Sequence, residues 1–318
     1  MGELQTMTAK TALNGAVILL GEPKDESAAV ARATLKAAGA AEIAWRRDIR
    51  GMRASLDEAA WDLAIFDIDM PGGDAIDLAA SLRRGDVGAA PFMPLILTTR
   101  QAERAPIERA MSAGADDVVL KPFTAGAIVK RIKRLSSGRK PFVAANGYVG
   151  PVRAGMDAET TGETFVPPNA LRPIEDLAEV AAMEAAHETA QRRLTAVRLA
   201  DALREISAAA RRTIAAGTPT QEDYVLLVGI DEHLTPVTRG MVFEDVLEAL
   251  DRLASLSNLA FAAETGINER AAKLVAEITD MIVLIVGRGQ SDVLSLPADI
   301  IGQIDKRFPE IAARKSSA

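Results

Sequence analysis

The stretch Asp62-Leu63-Ala64-Ile65-Phe66-Asp67-Ile68-Asp69-Met70-Pro71-Gly72-Gly73-Asp74 restricts the fold of this 318-residue chain more than any other. Apolar residues at 63–66 suit a strand buried on both faces, as in a parallel sheet. Asp67 ends that strand, and open α/β sheets bind ligands at the carboxyl ends of their strands. Pro71-Gly72-Gly73 forces a turn, and Asp74 is placed to cap the next helix.

Two later stretches repeat the pattern. Pro94-Leu95-Ile96-Leu97-Thr98-Thr99 is an apolar strand ending on a hydroxyl. Ala113-Gly114-Ala115-Asp116-Asp117-Val118-Val119-Leu120-Lys121-Pro122-Phe123 is another, ending on an ammonium. Earlier, Ala16–Leu20 and Glu42–Trp45 read as strands, and helices are expected near 27–38, 51–60, 74–84, 102–113 and 124–135. Strands alternating with helices give a parallel, doubly wound sheet.

Carboxylate, hydroxyl and ammonium, in that order at successive strand ends, resemble the CheY-like receiver domain of two-component response regulators. The resemblance covers residues 14–135 and implies a flavodoxin-like (βα)5 fold. It implies that Asp67 is a phosphoacceptor served by a histidine kinase or a histidine phosphotransfer protein. It also implies roles for Thr99 and Lys121 as phosphoryl-binding groups and a cis Lys121–Pro122 bond. Mg²⁺ would be held by Glu22, Asp67 and the main-chain carbonyl of Asp69. Such a domain catalyses only its own phosphorylation and dephosphorylation.

Three positions depart from the receiver pattern. Receivers end the first strand on two adjacent acids; here the chain reads Leu20-Gly21-Glu22-Pro23-Lys24-Asp25, so one carboxylate is lost. Asp25 either compensates in part or caps the next helix, and capping is the expectation. Arg100 follows Thr99 where a small residue is usual; it either shields the site, pairs with the phosphoryl group or points to solvent. Val118 stands where many receivers carry a switching aromatic ring.

The chain has no cysteine, which removes disulfides, thiolate nucleophiles and cysteine zinc sites. No apolar run approaches the roughly 20 residues that span a bilayer. The N-terminus lacks a basic segment followed by an apolar one, so a cytoplasmic location is expected. Net charge is −7. From residue 174 onward there are 23 acidic against 15 basic residues, a net −8, so no DNA partner is expected there.

Residues 1–13 read as a tail and 136–172 as a flexible linker, with Phe142 and Tyr148 as candidates to dock on the receiver. From Pro173 to 318 an all-helical output or interaction domain is expected. A long helix, 173–216, carries a stripe of Leu199, Leu203, Ile206, Ala210 and Ile214 and is expected to pair, either within the chain or with a second copy as a homodimer element. Further helices are expected from Thr218-Pro219, from Thr235-Pro236 (with Phe243, Val246, Leu247, Leu250, Leu253 and Leu256 on one face), over 268–287, and from Pro297. Residues 224–230 and 281–286 remain open as buried strands. No catalytic signature and no basic recognition helix is present. His187 leaves a phosphotransfer role open; His233 reads as an ordinary histidine. The leading reading is a response regulator acting through protein contacts. The alternatives are a phosphate-independent scaffold, or a helical half with phosphotransfer or phosphatase activity.

Overall fold

The computed structural model describes residues 13, 15–145, 148–156, 164–172, 177–238, 244–261, 267–287, 302 and 306. Two compact units divide the chain, 1–194 and 195–318. The first is built on β1 (Val17–Gly21), α1 (Asp25–Ala37), β2 (Glu42–Arg46), α2 (Ile49–Glu58), β3 (Leu63–Asp67), α3 (Ala75–Arg84), β4 (Leu95–Thr99), α4 (Arg104–Ser112), β5 (Asp117–Leu120) and α5 (Ala125–Ser137). All the pairs in this sheet are parallel, in the order β2-β1-β3-β4-β5.

Strand side chains alternate between faces, so each central strand feeds two cores. Ile18, Leu20, Leu63, Ile65 and Ile96 pack with Leu35 of α1 and Ile128 and Ile132 of α5. Leu19, Ala64, Phe66, Leu95 and Leu97 pack with Met52 and Leu56 of α2 and Leu78 and Leu82 of α3. Leu13, read from the sequence as part of the tail, is buried in the first of these cores. Asp74 caps α3, accepting from the Ile76 and Asp77 amides. Asp25 does not cap α1. It is the first helical residue, after Lys24, and its exposed carboxylate pairs with Arg47 at 2.5 Å instead.

The span 136–172, read as a linker, carries ordered structure. β6 (Phe142–Ala145) and β7 (Tyr148–Pro151) form an antiparallel hairpin, and Phe142 exchanges both backbone hydrogen bonds with Phe165. Composition hides this because the order comes from distant partners. Phe92 meets Phe142 and Phe165 edge-on, the latter two rings are tilted to each other, all centroids lie 5.6–6.4 Å apart, and the three are buried. Arg139 and Arg83 lie 4.7 and 5.3 Å from the Phe142 ring centre. Both guanidiniums meet the buried Asp116 carboxylate, which also accepts from the Leu95 amide. Burial pulls the Arg83 pKa down to about 10, with Asp116 opposing.

The long helix α6 (Leu177–Ala216) contributes Ala190 and Leu194 to the Phe142 cluster. The second unit is helical in its described residues: the rest of α6, α7 (Gln221–Val228), α8 (Ile230–Thr238), α9 (Glu244–Phe261) and α10 (Glu269–Gly287). Its core joins Leu199, Leu203 and Ile206 to Leu227, Leu253, Leu256, Val275 and Ile278. The strand option for 224–230 and 281–286 therefore fails; both stretches are helical but for Gly229. Pro236 does not open a helix. It sits near the end of α8, where its missing N–H removes one bond two residues before the helix stops. Leu250, Leu253 and Leu256 are buried, whereas Leu247 is 39% exposed. Phe243, the Val246 side chain and nearly all of the helix expected from Pro297 lie outside the described residues. No helix among the described residues is long and apolar enough to cross a membrane.

Candidate functional site

Parallel strands bring their carboxyl ends to one edge, and the three expected residues arrive there together. Asp67 closes β3, Thr99 closes β4, and Lys121 follows β5. Gly21 ends β1 in close packing: a Cβ there would meet Phe66 Cβ at 2.5 Å and Met70 Sδ at 2.6 Å. Glu22 follows it and turns inward.

Asp67 and Thr99 are fully buried and Glu22 is 4% exposed. Lys121 Nζ donates to Asp67 Oδ2 at 2.5 Å and also to Glu22 Oε2. The Asp69 amide donates to Asp67 Oδ1 at 2.9 Å. Two buried carboxylates thus share one buried ammonium. Arg100 Nη1 is 4.0 Å from Asp67 Oδ2, with its side chain 44% exposed. It stands at the edge of pairing distance from the carboxylate while much of its side chain remains in solvent.

Thr99 Oγ1 accepts from the Gln101 amide at 2.9 Å. Gln101 Nε2 reaches across the mouth of the site to Asp69 Oδ1 at 2.6 Å. Sequence reasoning missed Gln101; its place two residues past Thr99 was the available signal. It also missed Trp45, whose indole N–H donates to the Glu22 carbonyl at 2.8 Å. The Lys121–Pro122 peptide is cis. Among the described residues no group of three or more His, Asp or Glu side chains is placed to hold a metal. Glu22 and Asp67 converge; Asp69 was expected to add only its carbonyl. Neither histidine joins this edge. His187 is exposed on α6, and His233 Nε2 lies 3.4 Å from Glu205 Oε2.

Residues 18–133 match the family described as response regulator receiver domain. The transcriptional regulatory protein ResD of Bacillus subtilis is 35% identical over 78 residues, 24% of this chain and 30% of that protein. The phosphate regulon transcriptional regulatory protein PhoB of Rhizobium meliloti is 34% identical over 97 residues, 30% of this chain and 42% of that protein. This chain therefore spans less than half the length of either relative. Among solved structures, a signal receiver domain of a signal transduction histidine kinase from Syntrophus aciditrophicus is 28% identical, with a TM-score of 0.35, over 38% of this chain and 90% of that one. No family model matches the C-terminal half. By strand order, strand-end residues and family match together, residues 18–133 are a receiver domain of the response-regulator family.

Proposed function

We propose that the chain is a phosphorylation-controlled response regulator with Asp67 as its phosphoacceptor and the helical half as its output. The observation that carries this is the pairing of the fully buried Asp67 with Lys121 at 2.5 Å, beside Glu22, at a strand-end edge. A carboxylate attacks a phosphoryl group once charge on that group is neutralised. An Asp67 oxygen bonds to phosphorus, the P–N bond to the donor's imidazole breaks, and its electron pair stays on the ring nitrogen. Lys121 then holds one phosphoryl oxygen, and the Thr99 hydroxyl swings from the Gln101 amide to another.

The two buried carboxylates and the all-oxygen donor set suit Mg²⁺, held by Glu22, Asp67 and the Asp69 carbonyl. When bound, the ion neutralises developing phosphoryl charge. The donor would be a histidine kinase or phosphotransfer protein, and the setting the cytoplasm. The helical unit would signal through protein contacts; the α6 stripe expected to serve a homodimer is instead taken up by the unit's own core.

Intact mass after incubation with acetyl phosphate and Mg²⁺, beside Asp67→Asn, tests the reading. A phosphoryl adduct on wild type alone is expected. No adduct, with no beryllofluoride binding, would replace it with a phosphate-independent scaffold. Label on His187 instead would favour phosphotransfer by the helical half.

A further inference from the structure

Glu22 is fixed at every polar atom. Its amide donates to the Arg46 carbonyl at 3.0 Å, and its own carbonyl accepts from Trp45 Nε1 at 2.8 Å. Its Oε1 accepts from the Lys24 amide at 3.1 Å, and its Oε2 from Lys121. Pro23, directly after it, supplies no N–H, so the turn lacks one donor that would otherwise tether it. The indole stands in for that tether, reaching from the edge strand β2 to the loop after β1.

The indole is itself held. Arg47 lies 4.5 Å and Arg32 5.9 Å from its ring centre, and Arg47 is in turn paired with Asp25. Cations over the face of an aromatic ring restrain it as well as attract it. A chain of contacts therefore runs Asp25–Arg47–Trp45–Glu22. Trp45, outside the strand-end set, thus holds the one acid of the expected pair that remains after β1.

We propose that Trp45 is a positioning residue for the phosphorylation site: its indole N–H locks the Glu22–Pro23 turn so that a single carboxylate there serves as a divalent-cation ligand. This rests on the proposed receiver chemistry and adds a residue to it. With two acids, loss of aim at one is tolerated. With one, the backbone that aims it sets the metal affinity, because groups that hold a ligand in place contribute to binding beside the ligand itself.

The test is calorimetric titration of the full chain with Mg²⁺, for wild type, Trp45→Phe, Glu22→Gln and the double variant. Phenylalanine keeps an aromatic face for Arg47 and removes the N–H together with the pyrrole ring that carries it. Trp45→Phe is expected to weaken Mg²⁺ about three- to tenfold, the range one net hydrogen bond supplies. In the Glu22→Gln background the same change is expected to cost nothing further, because its effect passes through Glu22. On titration, the wild-type Trp45 indole N–H resonance is expected to shift with the calorimetric affinity. Equal Mg²⁺ affinity in wild type and Trp45→Phe would overturn the proposal while leaving the receiver chemistry standing. An equal loss in both backgrounds would also overturn it, as general loosening of the fold. Wild type that binds no Mg²⁺ at millimolar concentration would overturn the metal reading first, and this inference with it.

Discussion

Arg100 is the side chain that most alters the chemistry expected at Asp67. It stands on the solvent side of a fully buried carboxylate, 4.0 Å from Oδ2. A guanidinium there would pair with a phosphoryl oxygen and stand in the way of attacking water. Arg100→Ala is expected to shorten the acyl phosphate lifetime about two- to tenfold and to speed loading by acetyl phosphate. Decay followed by intact mass checks this, and an unchanged rate would place Arg100 outside the mechanism. Asp116 presents the opposite problem, one buried carboxylate facing the guanidiniums of Arg83 and Arg139. Removing its charge strands those cations in the interior. Asp116→Asn is expected to cost about 3–5 kcal/mol, read from the midpoint of urea unfolding.

The hairpin β6–β7 explains why some of this architecture could be read from the sequence and some could not. Each strand of the parallel sheet is a short apolar run ended by a turn or a charged residue, so local pattern suffices. Asp67 and Lys121 were visible for the same reason, as charges that end apolar runs. Phe142 carries no such local signal. It is ordered by Phe92 fifty residues upstream, by Arg83 on α3 and by Phe165 beyond a loop. Gln101 and Trp45 stayed hidden because one bridges two loops and the other bonds a main-chain oxygen. Asp25 misled because its side chain had a nearby guanidinium to choose over the helix end. Phe142→Ala is expected to destabilise the first unit by about 3–5 kcal/mol. Loss of protection from amide exchange over 142–151 before the central strands would be its signature.

In the second unit an ion pair adds to the apolar packing that joins α6 and α7. Arg212 donates to Asp223, the Thr220 hydroxyl accepts from the Asp223 amide, and the Arg212 hydrogen bond holds the Asp223 carboxyl below its usual value. A carboxyl depressed on folding stabilises above its unfolded pKa, near 3.8, and loses that contribution as pH falls through its folded value. Stability of the wild-type helical unit should therefore fall as pH drops below about 4. Asp223→Asn should be less stable at pH 7 and show a shallower acid limb in thermal melts. The segment docked after α5 also bears on how this protein can be taken apart. Gly114 and Gly150 touch so closely that a Cβ on Gly150 would lie 2.7 Å from Gly114 Cα. A chimera that borrowed this receiver but cut it after α5 would expose Phe92 and leave Asp116 without Arg139. The portable cassette for grafting onto a foreign output therefore runs on to Leu194, which with Ala190 closes the Phe142 cluster, and sensors built on the shorter piece would report their own instability rather than their signal.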